Sequence, residues 1–325
     1  MHRRGGVAVT AIGIDVGGTK IAGGLVTADG QVLATGRRRS PASDVSAISD
    51  TIADLVRELT EQTEDDVVAV GVAAAGFVDR DRTTLVFAPN LAWRDVPLKQ
   101  EMQDRLGLPV VLENDANAAA WGEFRFGAAE DADDLLLLTV GTGVGGGIVH
   151  DGVLLRGARG FGAEVGHVQV VPEGRPCPCG VRGCLEQYAS GSALVTGART
   201  RVAAGGDGAA EVMSRLAPGE SLDGPFVTTL AHERNPLALA AFDDLGHWLG
   251  VGAATIAAVL DPSVVVIGGG VVEAGDLLLD PTRRALASHL TASDHRPAIE
   301  VRPATLGNDA GVVGAADLAA RSTDG

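Results

Sequence analysis

Ile12-Gly13-Ile14-Asp15-Val16-Gly17-Gly18-Thr19-Lys20-Ile21-Ala22-Gly23-Gly24-Leu25-Val26-Thr27-Ala28-Asp29-Gly30 is an apolar run, a glycine turn, a second apolar run and an Asp-Gly turn. The same outline returns as Leu135-Leu136-Leu137-Leu138-Thr139-Val140-Gly141-Thr142-Gly143-Val144-Gly145-Gly146-Gly147-Ile148-Val149-His150-Asp151-Gly152. Each copy reads as strand, glycine-rich turn, strand, with a glycine, an aliphatic pair and Asp-Gly at the end. The likeness is short, but two strand-turn-strand units in one chain argue for a duplicated architecture.

Both turns invite nucleotide motifs, and both depart from them. A P-loop needs Gly-Lys followed by Ser or Thr, whereas here Thr19 precedes Lys20. Gly141, Gly143 and Gly146 fit G-x-G-x-x-G after a strand, but Gly147-Ile148-Val149 continues as a strand instead of opening a helix. What survives is a pair of hairpin turns whose glycines let backbone N–H groups approach phosphate oxygens, with Thr19 and Thr142 adding hydroxyls. A plain hairpin is the competing reading of either turn alone.

Outward from the first copy, Val7 to Asp15 reads as the opening strand. A third apolar run follows Gly30, then an amphipathic helix over Val45 to Thr63. A strand over Val67 to Ala73, a helix over Pro97 to Leu106, an extended Val110 to Leu112 and a helix over Asp115 to Phe124 complete a βββαβα outline. Beyond the second copy, helices are expected over Leu185 to Ala204 and Ala238 to Val259, a strand over Val264 to Ile267 ending in Gly268-Gly269-Gly270, and a last helix over Gly311 to Arg321. Residues Gly205 to Asn235, rich in glycine and small residues, give no clear pattern.

All three cysteines, Cys177, Cys179 and Cys184, fall within eight positions, and His167 stands ten residues before the first. Three thiolates and one imidazole make a tetrahedral set for structural zinc, and Pro176, Pro178, Gly180 and Gly183 supply the tight turns. Free thiols, or a disulfide with one cysteine left over, are the alternatives. Glu164 and Glu186 flank the set, so the metal would also position two carboxylates. Glu113-Asn114-Asp115-Ala116-Asn117 follows a strand and opens a helix, which suits either a helix cap or a carboxylate at a ligand site. Asn90 lies on the turn Ala88-Pro89-Asn90-Leu91. Carboxylates and amides together suit a neutral polyol, whose hydroxyls need donors and acceptors at close quarters.

The 325 residues allow two domains, and the 46% hydrophobic content allows substantial cores. A net charge of −16 disfavours nucleic acid or an anionic membrane as a standing partner. The basic start His2-Arg3-Arg4 imitates a signal peptide, but Asp15 and the glycine turn interrupt the apolar stretch, and no run reaches membrane-spanning length. The cytoplasm is the expected compartment, where clustered cysteines more often bind metal than pair.

Taken in order, Asp15-Val16-Gly17-Gly18-Thr19-Lys20, Glu113-Asn114-Asp115, Gly141 to Gly147, Glu164-Val165-Gly166-His167 and the Cys177 to Glu186 segment give a chain that resembles the ROK family of sugar kinases and repressors, most closely its bacterial glucokinases. The resemblance runs from Ile12 to about Ala316. It implies an α/β, actin/hexokinase-like duplicated fold, two α/β domains flanking a nucleotide and sugar cleft. We place the expected division at 1–115 and 116–310, with the zinc segment 167–184 in the second part and a C-terminal helix, 311–325, returning to the first. The implied activity is ATP-dependent phosphorylation of the 6-hydroxyl of glucose, with Mg²⁺ and structural Zn²⁺. By resemblance Asp115 is the general base and Gly76, Asn90, Asn114, Asp115, Glu164, His167 and Glu186 contact the sugar. Asp15, Gly18, Thr19, Lys20, Thr142, Gly143, Gly269 and Gly270 serve ATP and its Mg²⁺, and His167, Cys177, Cys179 and Cys184 hold zinc. The family also implies a homodimer or homotetramer. Alternatives are a kinase for fructose, mannose or an N-acetylhexosamine, polyphosphate in place of ATP, or a sugar-sensing regulator without catalysis.

Overall fold

The computed structural model describes residues 10–217 and 219–323. The segment Val7 to Val9 of the expected first strand and the basic start lie outside them. The described chain forms two compact units, one of residues up to Asp131 with Gly147–Ala163 and Thr305 onward, the other of Ala132–Gly146 and Glu164–Ala304.

In the first unit β1 (Thr10–Val16), β2 (Lys20–Thr27) and β3 (Val32–Arg39) are a hairpin series, followed by α1 (Val45–Thr60) and β4 (Val67–Ala74). A small antiparallel sheet, β5 (Phe77–Val78), β6 (Leu85–Phe87) and β7 (Arg94–Val96), precedes α2 (Leu98–Leu106), β8 (Val110–Asn114) and α3 (Asp115–Phe126). The main sheet runs β3-β2-β1-β4-β8, with β4 parallel to both β1 and β8.

The second sheet repeats that order. It is built from β9 (Leu135–Val140), β10 (Val144–His150), β11 (Val153–Leu154), β12 (Val264–Gly268) and β13 (Glu300–Pro303), in the order β11-β10-β9-β12-β13. Replacing β1, β2, β3, β4 and β8 by β9, β10, β11, β12 and β13 maps one sheet onto the other, so the duplication read from two short segments extends over five strands. The division between units cuts β10 after Gly146.

Each face of the first sheet is covered for a reason visible in the sequence. On one side Ile48, Ile52, Leu55, Val56 and Leu59 of α1 are buried, the helix being capped by Asp44, whose carboxylate accepts from the Ala47 N–H at 3.0 Å. On the other lies α10 (Ala310–Arg321), buried from Ala310 through Ala319. It approaches because Gly13 and Gly71 have no side chain: a Cβ at either would overlap the carbonyl oxygen of Val312 or Ala315. Against α3 the same device recurs, since a Cβ on Gly314 would overlap the Ala118 carbonyl and one on Gly122 would lie 2.5 Å from the Ala310 carbonyl. This packing puts α3 in the first unit, so the division falls beyond the expected 115/116 boundary. The fully buried Glu123 fastens the return, accepting from the Ala128, Thr305 and Leu306 N–H groups at 2.8–3.1 Å.

In the second unit the expected helix over Leu185 to Ala204 is two, α4 (Glu186–Ala189) and α5 (Gly191–Ala203). Ser190 adopts an extended conformation between them and caps α5 through Ala193 N–H. The unreadable stretch contains α6 (Ala209–Arg215) and α7 (Gly224–His232), the latter capped by Asp223. Next, α8 (Pro236–Leu260) starts two residues before the expected Ala238 because Asn235 accepts from both Leu237 and Ala238 N–H. A further helix, α9 (Asp276–His289), carries Pro281 in its interior; the ring packs where Gly246 of α8 has no side chain. Among the described residues no helix is long and apolar enough to cross a membrane.

Candidate active site

In the first unit the strand ends of the main sheet collect the expected polar residues. Asp15 is the penultimate residue of β1, the turn Gly17 to Thr19 follows, and Lys20 opens β2 exposed and in register with Arg39. Gly18 faces Asn90: a Cβ there would lie 3.0 Å from Asn90 Cβ and 3.2 Å from its carbonyl oxygen. The Asn90 turn is itself caged by Arg94, whose Nη1 donates to the carbonyls of Ala88, Leu91 and Trp93 at 2.6–2.9 Å.

At the end of β8, Asn114 caps α3 by accepting from the Asn117 N–H at 3.0 Å. Its side-chain nitrogen donates to the Gly76 carbonyl and to Asp115 Oδ1, each at 3.1 Å. The capping reading of this segment holds: Asn114 is the cap, and its amide is also hydrogen-bonded to Asp115. Burial pushes the Asp115 carboxyl up, while hydrogen bonds from the Ala116 and Asp115 N–H groups and the Asn114 amide act against it. Asp15 is raised to about 6, first by burial and next by the nearby Asp115, with Lys20 opposing. Two carboxylates in one electrostatic environment, one of them held this high, favour a cation beside Asp15.

In the second unit the glycine turn after β9 is held from below. Gly191 N–H donates to the Gly141 carbonyl at 2.8 Å, and Ser192 Oγ to the Thr142 carbonyl at 2.8 Å. Glu186 Oε2 accepts from the Val144 N–H at 3.0 Å and occupies the space a side chain on Gly143 would need. Gly269, at φ +83°, lies against Val140, where a Cβ would overlap the carbonyl oxygen. Gly141, Thr142 and Gly270 line a cavity of about 790 Å³, walled further by Arg199, Asp223, Pro225 and Glu273. Its volume lies in the range of small-molecule sites. These wall residues come from the stretch with no readable pattern, from α5 and from the turn after Gly270, and no spacing in the sequence marks them.

The zinc set is assembled. The candidate ligand atoms of His167, Cys177, Cys179 and Cys184 all lie within 4.8 Å of one another. Cys177 Sγ is 3.7 Å from His167 Nδ1 and Cys179 Sγ is 3.6 Å from Cys184 Sγ. A tetrahedron with Zn–S of about 2.3 Å requires sulfurs about 3.8 Å apart, so the residues fit zinc; a disulfide would need sulfurs about 2.05 Å apart. Gly180 and Gly183 take the left-handed conformation at φ +93° and +80°, and Gln169 bridges Cys184 across the loop. His167 follows Glu164 on a single helical turn, and Glu186 lies two residues past Cys184, at the start of α4. Nδ1 faces Cys177 Sγ, which leaves Nε2 as the ring nitrogen for another partner.

The expected residues thus divide into Asp15, Gly18, Thr19, Lys20, Gly76, Asn90, Asn114 and Asp115 in the first unit, and Thr142, Gly143, Glu164, His167, Glu186, Gly269, Gly270 and the cysteines in the second.

The model of the ROK family matches residues 11–322. A glucokinase of Streptomyces coelicolor is 46% identical over 310 residues, covering 95% of this chain and 96% of the relative. A crystal structure of a ROK family glucokinase from Streptomyces griseus, in complex with glucose and AMPPNP, superposes with a TM-score of 0.85 at 46% identity, covering 96% of this chain and 99% of that one. The xylose repressor of Bacillus subtilis is 30% identical over 95% of this chain and 76% of its own length.

Proposed function

The chain belongs to the ROK family, and from that premise we propose that it is an ATP-dependent glucokinase, a hexose kinase that transfers the γ-phosphoryl group of ATP to the 6-hydroxyl of glucose. The observation that carries the reading is Asp115 at the first turn of α3, its carboxyl raised by burial and aimed by the Asn114 amide. A carboxylate so held accepts the proton of a sugar hydroxyl as that oxygen attacks phosphorus. Asn114, Asn90 and the Gly76 turn in the first unit, and Glu164, His167 and Glu186 in the second, supply the donors and acceptors for the remaining hydroxyls. The glycine turns at Gly18-Thr19 and Thr142-Gly143 offer backbone N–H groups to the phosphates, and the cavity past Gly270 receives the nucleoside. Asp15 would hold Mg²⁺, which supplies charge neutralisation on the phosphate chain.

Zinc belongs to the same proposal as a structural ion. His167 and three thiolates fill a tetrahedron, so no position remains for a reacting water, and the metal's work is to fix His167 and Glu186. A cytoplasmic setting, which keeps thiolates reduced, and a homodimer or homotetramer complete the reading. A regulator's role is disfavoured by the −16 charge, which opposes DNA binding.

A coupled ATP assay across glucose, fructose, mannose and N-acetylated hexosamines tests it, with polyphosphate as a second donor. The highest kcat/KM is expected for glucose with ATP. Equal or better turnover of another hexose, or no turnover at all, overturns the assignment.

A further inference from the structure

Glu113 is 3% exposed, and its carboxylate has three partners that are not interchangeable. Oε1 accepts from the Asn114 backbone N–H at 3.1 Å and from Asn117 Nδ2 at 3.2 Å, groups that bracket Asp115. Oε2 accepts from Arg156 Nε at 2.7 Å. Arg156 begins a loop returning from β11, and its carbonyl accepts from the Gly162 N–H at 2.9 Å, closing the loop on itself. The loop touches the rest of the first unit at a second place. Gly160, at φ +90°, lies where a Cβ would overlap the Val78 carbonyl, and the Phe161 ring meets Phe77 edge-on at 5.2 Å. Phe77 follows Gly76, whose carbonyl accepts from the Asn114 amide. Arg82 belongs to the same cluster: burial and then the neighbouring Arg156 pull its guanidinium below the ordinary range, with Glu113 opposing.

We propose that the Glu113–Arg156 ion pair is a positioning latch for the catalytic base: through Asn114 and Asn117 it sets the direction of Asp115, and through Arg156 it ties that direction to the 156–163 loop. The assignment deepens the sugar-kinase reading and rests on it. A buried ion pair contributes little net stability over a neutral pair of the same shape, because desolvating both charges offsets their attraction. What it does fix is geometry, since a carboxylate with both oxygens engaged has one orientation, and the turn hydrogen-bonded to it is fixed in consequence. Neither Glu113 nor Arg156 is assigned contact with sugar or nucleotide; both act through Asp115.

The test compares Glu113→Gln, Arg156→Gln and the double variant Glu113→Gln/Arg156→Gln, measuring kcat and KM in the coupled ATP assay, glucose Kd by calorimetry and thermal melting. Arg156→Gln alone strands a buried carboxylate and is expected to fold poorly. The double variant removes both charges together and keeps the protein folded. The expected result is a double variant that melts like the parent and binds glucose within about threefold, while kcat falls on the order of 10²-fold, the loss that an ångström of misplacement causes. Turnover of the folded double variant within threefold of the parent overturns the latch and leaves the kinase reading standing. Loss of glucose affinity in step with kcat overturns it too, because the pair would then serve sugar binding. A parent protein inactive on every hexose removes the kinase reading and the latch with it.

Discussion

At the residue scale the proposed chemistry rests on two carboxylates of the first unit whose environments differ. Asp115 is aimed by hydrogen bonds and raised by burial. Asp115→Asn keeps the shape and the Asn114 contact but cannot take a proton, so kcat is expected to fall by about 10²–10⁴-fold with glucose Kd nearly unchanged. Steady-state kinetics beside calorimetry checks this, and a loss smaller than tenfold would remove Asp115 as the base. Asp15 titrates at about 6 in the folded protein, against the 3.8 of an unperturbed aspartate. A folded pKa above the unfolded one means the protonated form is favoured by folding. That stability is complete below about pH 4 and is lost as the pH rises through 6, at a cost on the order of 3 kcal/mol once Asp15 is ionised. Asp15→Asn is therefore expected to be more stable than the parent at pH 8 in chelator and without nucleotide, to match it near pH 4, and to be inactive. Denaturant titrations at the two pH values decide, and equal stability at pH 8 would contradict the assigned environment.

At the scale of elements, the zinc segment and the glycine turn of the second unit act together. Cys184 and Glu186 are two residues apart, and the Glu186 carboxylate supports the Val144 N–H and fills the space above Gly143. Cys184→Ser is expected to lower bound zinc from about one equivalent to near none, and to raise the KM for glucose tenfold or more as His167 and Glu186 lose their anchor. Elemental analysis with kinetics would show it; metal-free protein with full activity refutes a structural zinc. In the first unit the helix α10 depends on bare glycines in the sheet. Gly71→Val would drive a side chain into the Ala315 carbonyl, backbone that cannot yield. A loss of about 3 kcal/mol or more, or no soluble protein, is expected on thermal and denaturant melting. A melt like the parent's would mean that α10 does not need the bare position.

At the scale of the whole molecule the two units are interleaved along the chain. The first takes residues from three separate segments, including Thr305 onward. Ala310 to Ala319 are all buried, and Glu123 fastens the strand-to-helix turn at Thr305 and Leu306. A protein truncated after Ala304 loses the cover of one sheet face, and the first unit is expected not to fold although Asp15, Asn114 and Asp115 remain. Circular dichroism and dye binding on the truncated chain check this. A cooperative, native-like melt would mean that α10 is dispensable.

Local pattern determined much of this protein. The duplication was legible in two strand-turn-strand segments because alternation and turns are encoded over a few residues, and the strand order repeats it across both sheets. The candidate metal set was legible because one short loop carries all three thiols, and the Asp115 segment because a cap and a candidate site share the start of a helix. What only the tertiary structure decided concerns neighbours distant in sequence. Arg156 reaches Glu113 across 43 positions, Glu186 reaches Val144 across 42, and Thr305 reaches Glu123 across 182. Within 205–235 α7 starts on the Asp223 cap and α6 packs on α5, and the proline-bearing α9 packs on α8, where Gly246 makes room for Pro281; these are contacts that no single segment displays. Periodicity is a property of one segment. Which segment fills the space beside a bare glycine or a buried carboxylate is a property of the packed chain, where shape and unpaired charge exclude the alternatives.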